Sequence, residues 1–187
     1  MRVLIADDEA LTRMGLRTML HDMGHTLVGA APDGVTALQL ACQTRPDLAI
    51  LDIKMPGMDG LAVAEAIAGQ CPLPVVMLTA YSERDLVQRA SATETVQAYL
   101  VKPIREQDLA PAIELAAARF AEWQALCQEA ADRQAALESR EVVHRAKHLL
   151  MEREGLSERE AFLKIQHRAR RERRTMRQVA EVVSLEA

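Results

Sequence analysis

Five short apolar runs, at residues 3–6, 27–31, 48–51, 75–78 and 96–101, constrain this chain more than any other feature. Segments with helical spacing separate them, at about 11–23, 34–43, 60–69 and 82–90. The runs are near-continuous rather than alternating, which is the pattern of strands buried on both faces of a parallel sheet. Strands alternating with helices build a doubly wound α/β domain, and residues 1–120 suffice for one.

After Pro103 the pattern changes. From 106 to about 140 there is no glycine and one proline, Pro111, near the helix start where proline is tolerated. Ile113, Phe120 and Cys127 are seven apart, and Ala116, Trp123, Ala130 and Leu137 continue the companion stripe. That spacing predicts an a/d seam of about four heptads, broken by Gln134 at an a position. The stripe could pack on its own domain; a coiled coil with a second copy covers the whole seam, so residues 105–140 are expected to be a linker that dimerises through it. Residues 137–187 then read as three short helices. The first runs from 141 to a stop at Gly155, the second starts at a Ser157–Glu160 capping-box pattern, and the third follows Thr175. Leu149, Leu150, Phe162 and Ile165 are expected to bury one another in a small all-α bundle.

Charge divides along the same boundary. The whole chain carries a net −4 with a pI near 5.8 and only 3% aromatic residues, which argues against a stacking platform for single strands. Residues 1–139, however, hold 11 Lys/Arg against 19 Asp/Glu, a net of −8, and residues 140–187 hold 12 against 8, a net of +4. Six arginines fall between Arg168 and Arg177, opposed only by Glu172. A basic module behind an acidic domain is the footprint of a phosphate-backbone binder, although charge runs are often just solvated faces. Cys42, Cys71 and Cys127 are odd in number and lack a Cys-x-x-Cys pair, so three free thiols in a reducing cytosol are expected. No stretch has the length of a signal peptide's apolar region or a membrane span, and a soluble cytoplasmic protein is expected.

In a parallel sheet of this kind ligands sit beyond the carboxyl ends of the strands. Asp7 and Asp8 follow the first run, Asp52 closes the third, Thr79 the fourth and Lys102 the fifth. Three converging carboxylates repel one another unless a cation neutralises them, and hard oxygen ligands suit Mg²⁺. Asp52 can then attack a phosphoryl group to give an acyl phosphate, with Lys102 stabilising its charge and the Thr79 hydroxyl bonding a phosphoryl oxygen. Each of these residues alone would be an ordinary strand-end residue; the set in register is not.

The motifs Ala6-Asp7-Asp8-Glu9, Leu51-Asp52-Ile53-Lys54-Met55-Pro56-Gly57-Met58-Asp59-Gly60, Leu78-Thr79-Ala80 and Tyr99-Leu100-Val101-Lys102-Pro103 resemble those of response-regulator receiver domains, which have the flavodoxin-like fold. The resemblance implies phosphorylation of Asp52 by a sensor histidine kinase. It implies Mg²⁺ held by Asp8, Asp52 and the Lys54 backbone carbonyl, with Asp7 acting through water, and Thr79 and Tyr99 moving together as a switch. It also implies a cis Lys102–Pro103 bond, and places Lys54 and Tyr81 at positions that influence phosphoryl loss. Enzymatic activity would be limited to self-phosphotransfer and self-dephosphorylation.

The carboxyl-terminal segment resembles the ANTAR domain, an RNA-binding antiterminator module. The resemblance rests on Ala146-Lys147-His148-Leu149-Leu150-Met151, Gly155, Ser157, Glu160-Ala161-Phe162, Ala169, Met176, Val179-Ala180 and Val182-Val183. Arg170 stands where the family usually has an apolar residue, and Gln166 replaces a frequent basic one. The resemblance implies a bacterial regulator that, once phosphorylated, dimerises and holds paired stem-loops in a nascent transcript, so that RNA polymerase reads through a terminator. Lys147, Arg168, Arg171, Arg174 and Arg177 are the candidate RNA contacts. Phe162 is assigned to the core by its register with Ile165, which favours contact with folded RNA over stacking on splayed bases. A DNA-binding factor with a recognition helix and a module docking an acidic protein are the alternative readings. His144, His148 and His167 are spaced irregularly for metal ligation, and no second acid–base constellation suggests an enzymatic output domain.

Overall fold

The computed structural model describes residues 1–80 and 95–185; the helix expected at 82–90 and Tyr81 lie outside them. Five parallel strands, β1 (Arg2–Ala6), β2 (Thr26–Ala31), β3 (Leu48–Asp52), β4 (Val75–Thr79) and β5 (Val96–Val101), form one sheet in the order β2-β1-β3-β4-β5. The helices are α1 (Ala10–Asp22), α2 (Gly34–Thr44), α3 (Gly60–Gln70), α4 (Glu106–Glu154), α5 (Glu158–Glu172) and α6 (Met176–Leu185). The chain divides into two compact units, Met1–Gln124 and Ala125–Ala187.

Strand alternation sorts the first unit's core into two layers. Leu4 and Ala6 of β1 face α2 and α3, packing with Ala37, Ala41, Val63 and Ile67. Val3 and Ile5 face the other way, onto Leu16 and Leu20 of α1 and onto Leu109, Ile113 and Ala116 of α4. All five residues of β3 and of β4 are buried, as central parallel strands require. Asp33 and Asp59 cap α2 and α3 by accepting from the backbone amides of Thr36 and Ala62, contacts worth about 1 kcal/mol each.

Two glycines allow backbone segments to meet. A Cβ at Gly60 would lie 2.0 Å from the Asp52 carbonyl oxygen, and one at Gly34 would lie 2.1 Å from that of Met58. The start of α3 is thereby seated on the end of β3, next to the acidic cluster.

Three expectations are corrected here. Cys42 of α2 and Cys71 at the end of α3 form a disulfide with Cα atoms 5.7 Å apart, leaving Cys127 as a free, exposed thiol. The two helices lie side by side on one layer, a proximity that spacing along the chain cannot reveal. Ile113 and Phe120, assigned to the dimer seam, are only 1% and 5% exposed. Ile113 completes the sheet's second layer, and the Phe120 ring lies 5.3 Å from that of Trp123. The upper part of the apolar stripe is therefore used within the first unit, while Cys127, Ala130 and Leu137 are exposed and Trp123 is partly so. Finally, no break occurs near 140: the linker and the first bundle helix are one helix of 49 residues. Neither glycine nor proline interrupts it between Pro111 and its end.

The second unit's core is aliphatic. Ala146 and Leu150 of α4 pack with Ala161, Ile165 and Ala169 of α5 and Val179, Ala180 and Val183 of α6. Gly155 ends α4 with φ +64°, in the left-handed region that favours glycine. Ser157 and Glu160 form the expected reciprocal capping box on α5. A second reciprocal pair, Thr175 with Gln178, opens α6 in the same way.

Phe162 is not in this core. It is 40% exposed, because the buried face of α5 follows the four-residue spacing of Ala161, Ile165 and Ala169 and leaves Phe162 on its flank. No helix among the described residues is long and apolar enough to cross a membrane.

Candidate functional site

A strand order that reverses between β1 and β3 opens a crevice at their carboxyl ends. Asp7 and Asp8 leave β1 there and Asp52 ends β3, with one carboxylate oxygen from each lying within 4.8 Å of the others. Asp7 is fully buried and pinned on both sides: its amide donates to the Ala31 carbonyl at 3.2 Å, and its Oδ1 accepts from the Glu9 amide at 2.8 Å. Lys102, just beyond β5, extends Nζ between two carboxylates, 2.8 Å from Asp7 Oδ2 and 2.9 Å from Asp52 Oδ2. Its backbone amide donates to the Thr79 carbonyl at 2.9 Å, which ties the ends of β4 and β5 together. The Lys102–Pro103 peptide bond is cis, as expected.

The electrostatics follow from this crowding. Burial pushes the Asp52 carboxyl above its ordinary range; Lys102 opposes the shift, and the charges of Asp7 and Asp8 add to it. Burial would lower Lys102, but its hydrogen bonds to Asp7 and Asp52 prevail and hold the ammonium above its usual value. Asp8 is exposed on the wall of a cleft of about 660 Å³ that Ile53, Lys54, Met55, Pro56 and Asp59 also line. An all-oxygen cluster at a solvent-accessible cleft, with one lysine against three carboxylates, has the donor chemistry and the uncompensated charge that fit a divalent cation.

Thr79 is buried at the end of β4, where its hydroxyl donates to the Ala80 carbonyl at 3.1 Å. The Tyr99 hydroxyl is buried with no hydrogen-bond partner among the described residues, and burial raises its pKa. The segment that separates these two residues in sequence includes 81–94, outside the described residues. Sequence reasoning missed Arg13, whose guanidinium donates to the carbonyls of Asp7 and Asp8 at 2.7 and 3.0 Å and clamps the acidic turn. A basic residue in the first turn of the helix after an Asp-Asp pair was the available signal.

In the second unit the candidate cations sit differently from one another. The Lys147 ammonium is ion-paired with Glu158, and its side chain is largely buried. Arg168 Nε donates to Glu172 at 3.0 Å, and Arg171 and Arg174 gather around the same carboxylate at 3.6 and 3.8 Å. Arg177 bonds Glu181 at 3.0 Å and lies 3.6 Å from Glu138. Arg171 is 78% exposed and Arg174 53%, making these two the most accessible of the five. The His144 and His148 rings lie 4.7 Å apart between centroids, tilted by 56° to one another, on the exposed side of α4.

Comparison with known proteins agrees with both halves. Residues 3–114 match the response regulator receiver domain, and residues 131–183 match the ANTAR domain. The transcriptional regulatory protein PdtaR of Mycobacterium tuberculosis is 51% identical over 182 residues, covering 97% of this chain and 88% of that protein. Among solved structures, the receiver domain of AraT, a response regulator from Geobacillus stearothermophilus, superposes with a TM-score of 0.59 at 33% identity. It covers 66% of this chain and 97% of that one. The receiver domain of a modulated diguanylate cyclase from Desulfovibrio desulfuricans G20 has the same score at 32% identity, covering 64% and 94%.

Proposed function

This chain belongs to the response-regulator family, with a receiver domain followed by an ANTAR domain, and on that premise we propose that it is a phosphorylation-controlled RNA-binding antiterminator. The observation that carries the reading is the pocket in which Lys102 bridges Asp7 and Asp52, joined by one unbroken helix to a basic bundle.

Asp52 is the phosphoacceptor. A carboxylate oxygen attacks the phosphorus of a phosphohistidine on the partner kinase, the phosphorus–nitrogen bond breaks, and the imidazole nitrogen leaves with the bonding pair. Asp7, Asp8, Asp52 and the Lys54 carbonyl are the groups that would hold Mg²⁺, whose charge offsets that of the carboxylates and the phosphoryl oxygens. Lys102, already between Asp7 and Asp52, stabilises the acyl phosphate. The Thr79 hydroxyl exchanges the Ala80 carbonyl for a phosphoryl oxygen, and Tyr99 moves with it. Leu11 and Met14, exposed on α1, and the adjacent groove lined by Met19, Lys102 and Ile104 support docking of the kinase beside the pocket.

Phosphorylation promotes a homodimer through the exposed part of α4, with Trp123, Cys127, Ala130 and Leu137 on the seam. Two bundles then hold two stem-loops of one transcript, gaining avidity where the loops are correctly spaced. The reading places the protein in the cytoplasm, where transcripts form.

Titrating phosphorylated protein against a double stem-loop RNA tests the reading. Tight, salt-sensitive binding is expected, and failure to bind RNA while duplex DNA binds tightly overturns it. Equal mass in solution with and without a phosphate mimic overturns phosphorylation-driven pairing. Disulfide capture at Cys127 tests the seam, because a parallel in-register pair brings the two thiols to one level.

A further inference from the structure

The chain holds two phenylalanines, and the fold treats them in opposite ways. Phe120 is 5% exposed, whereas Phe162 is 40% exposed and stands outside the bundle's core. Ala161, Ile165 and Ala169 already supply α5's buried face, so the phenyl ring stands beside the core cluster rather than within it. The ring instead lines a groove of about 420 Å³ with Val143 and Met176, and Arg140, His144 and Lys147 line it as well. Apolar walls with a polarizable methionine, beside the Arg140 guanidinium and a Lys147 ammonium already paired with Glu158, are complementary to a flat aromatic group carried between phosphates.

We propose that this groove is a base subsite: one unpaired base of an RNA hairpin loop leaves the loop stack and lies against Phe162. This rests on the RNA-binding reading above and adds to it the part of the RNA that is recognised. Arg140 and His144 line the groove where the flanking phosphates pass. The Lys147–Glu158 ion pair is present in free protein, and an incoming phosphate competes with Glu158 for the Lys147 ammonium. Phe162 thus distinguishes a hairpin with a projecting base from a uniform duplex, which the arginines around Glu172 cannot do, because phosphate contacts carry no sequence information.

The test uses the full phosphorylated chain and a stem-loop pair selected from a random-loop library, with 2-aminopurine placed at each loop position in turn. Stacking predicts quenching at one loop position on binding. Phe162→Leu, which removes no core contact, is expected to weaken binding roughly tenfold and to abolish that quenching. It should leave the dependence of affinity on salt unchanged, because no phosphate contact is lost. Phe162→Tyr should restore both affinity and quenching.

Wild-type affinity in Phe162→Leu overturns the proposal and leaves the RNA-binding function standing. A wild-type chain that enriches no RNA from the library overturns both. Should Phe162→Leu melt early by circular dichroism, the wild-type scan decides alone: absence of quenching at every loop position overturns the subsite.

Discussion

The two units handle charge in opposite ways. In the first, one ammonium is held between two buried carboxylates whose backbone positions are fixed by strand ends and by the Arg13 clamp. In the second, three arginines share Glu172 at the surface, and the two most accessible project into solvent. Buried charge must be paired, so the first unit's ion pairs are part of its fold. Exposed arginines are individually near-neutral for stability and remain available to a partner.

Lys102→Met is the hardest test of that contrast. Removing one partner of a buried cluster strands the others, and a loss of about 3 kcal/mol in denaturant-measured stability is expected, together with loss of phosphoryl transfer to Asp52. Stability within experimental error of wild type would show that the pocket's charges are as solvated as those of the bundle. Gly60→Ala probes the same pocket without changing charge. Its methyl group would overlap the Asp52 carbonyl, so a cost of about 2 kcal/mol is expected, with slowed phosphorylation by a small phosphodonor.

On the other side, Arg171→Ala with Arg174→Ala should change thermal stability by less than about 0.5 kcal/mol. The same pair should lower the slope of log affinity against log salt by about two. An unchanged slope would make this face a solvated surface.

Arg173 ends α5 with φ +53°, where a side chain is disfavoured, so Arg173→Gly should stabilise the second unit by about 0.5 kcal/mol in thermal melts.

The smallest effect concerns Glu160. Its hydrogen bonds to Ser157, side chain first and backbone second, hold its carboxyl below the ordinary 4.5. A depressed folded-state value means that the stabilisation is present above 4.5 and lost as pH falls through that lower value. Glu160→Gln should flatten the pH dependence of melting there.

Most of the first unit could be read from the chain because its signals are local. Apolar runs marked strands, and each functional residue directly follows or ends one: Asp7, Asp52, Thr79 and Lys102. The Ser157–Glu160 cap was equally local, and the Thr175–Gln178 cap carried the same signal unread. The misreadings share a different cause. The stripe through Ile113 and Phe120 has heptad spacing, but spacing does not say whether a sheet or a second helix covers it. Phe162 lies three residues before Ile165, close enough on a helical wheel to suggest burial, yet the four-residue stripe of alanines and isoleucine had already filled the interface. The Cys42–Cys71 bridge depends on two helices being neighbours in space, which no pattern along the chain encodes. Arg13 is a different case: its partners are near in sequence, but they are backbone carbonyls, which side-chain pairing does not mark.

The continuity of α4 also limits how such a chain can diverge. One helix contributes Ile113 to the sheet's core, Cys127 and Leu137 to an open stripe, and Ala146 and Leu150 to the bundle's core. Each residue inserted between these segments turns everything downstream by about 100° about the helix axis. Seven residues return it to within about 20°. Lineages of this architecture should therefore tolerate length changes in whole heptads and lose those of one or two residues, so that the linker's length drifts in steps while only its positions off the stripe drift freely.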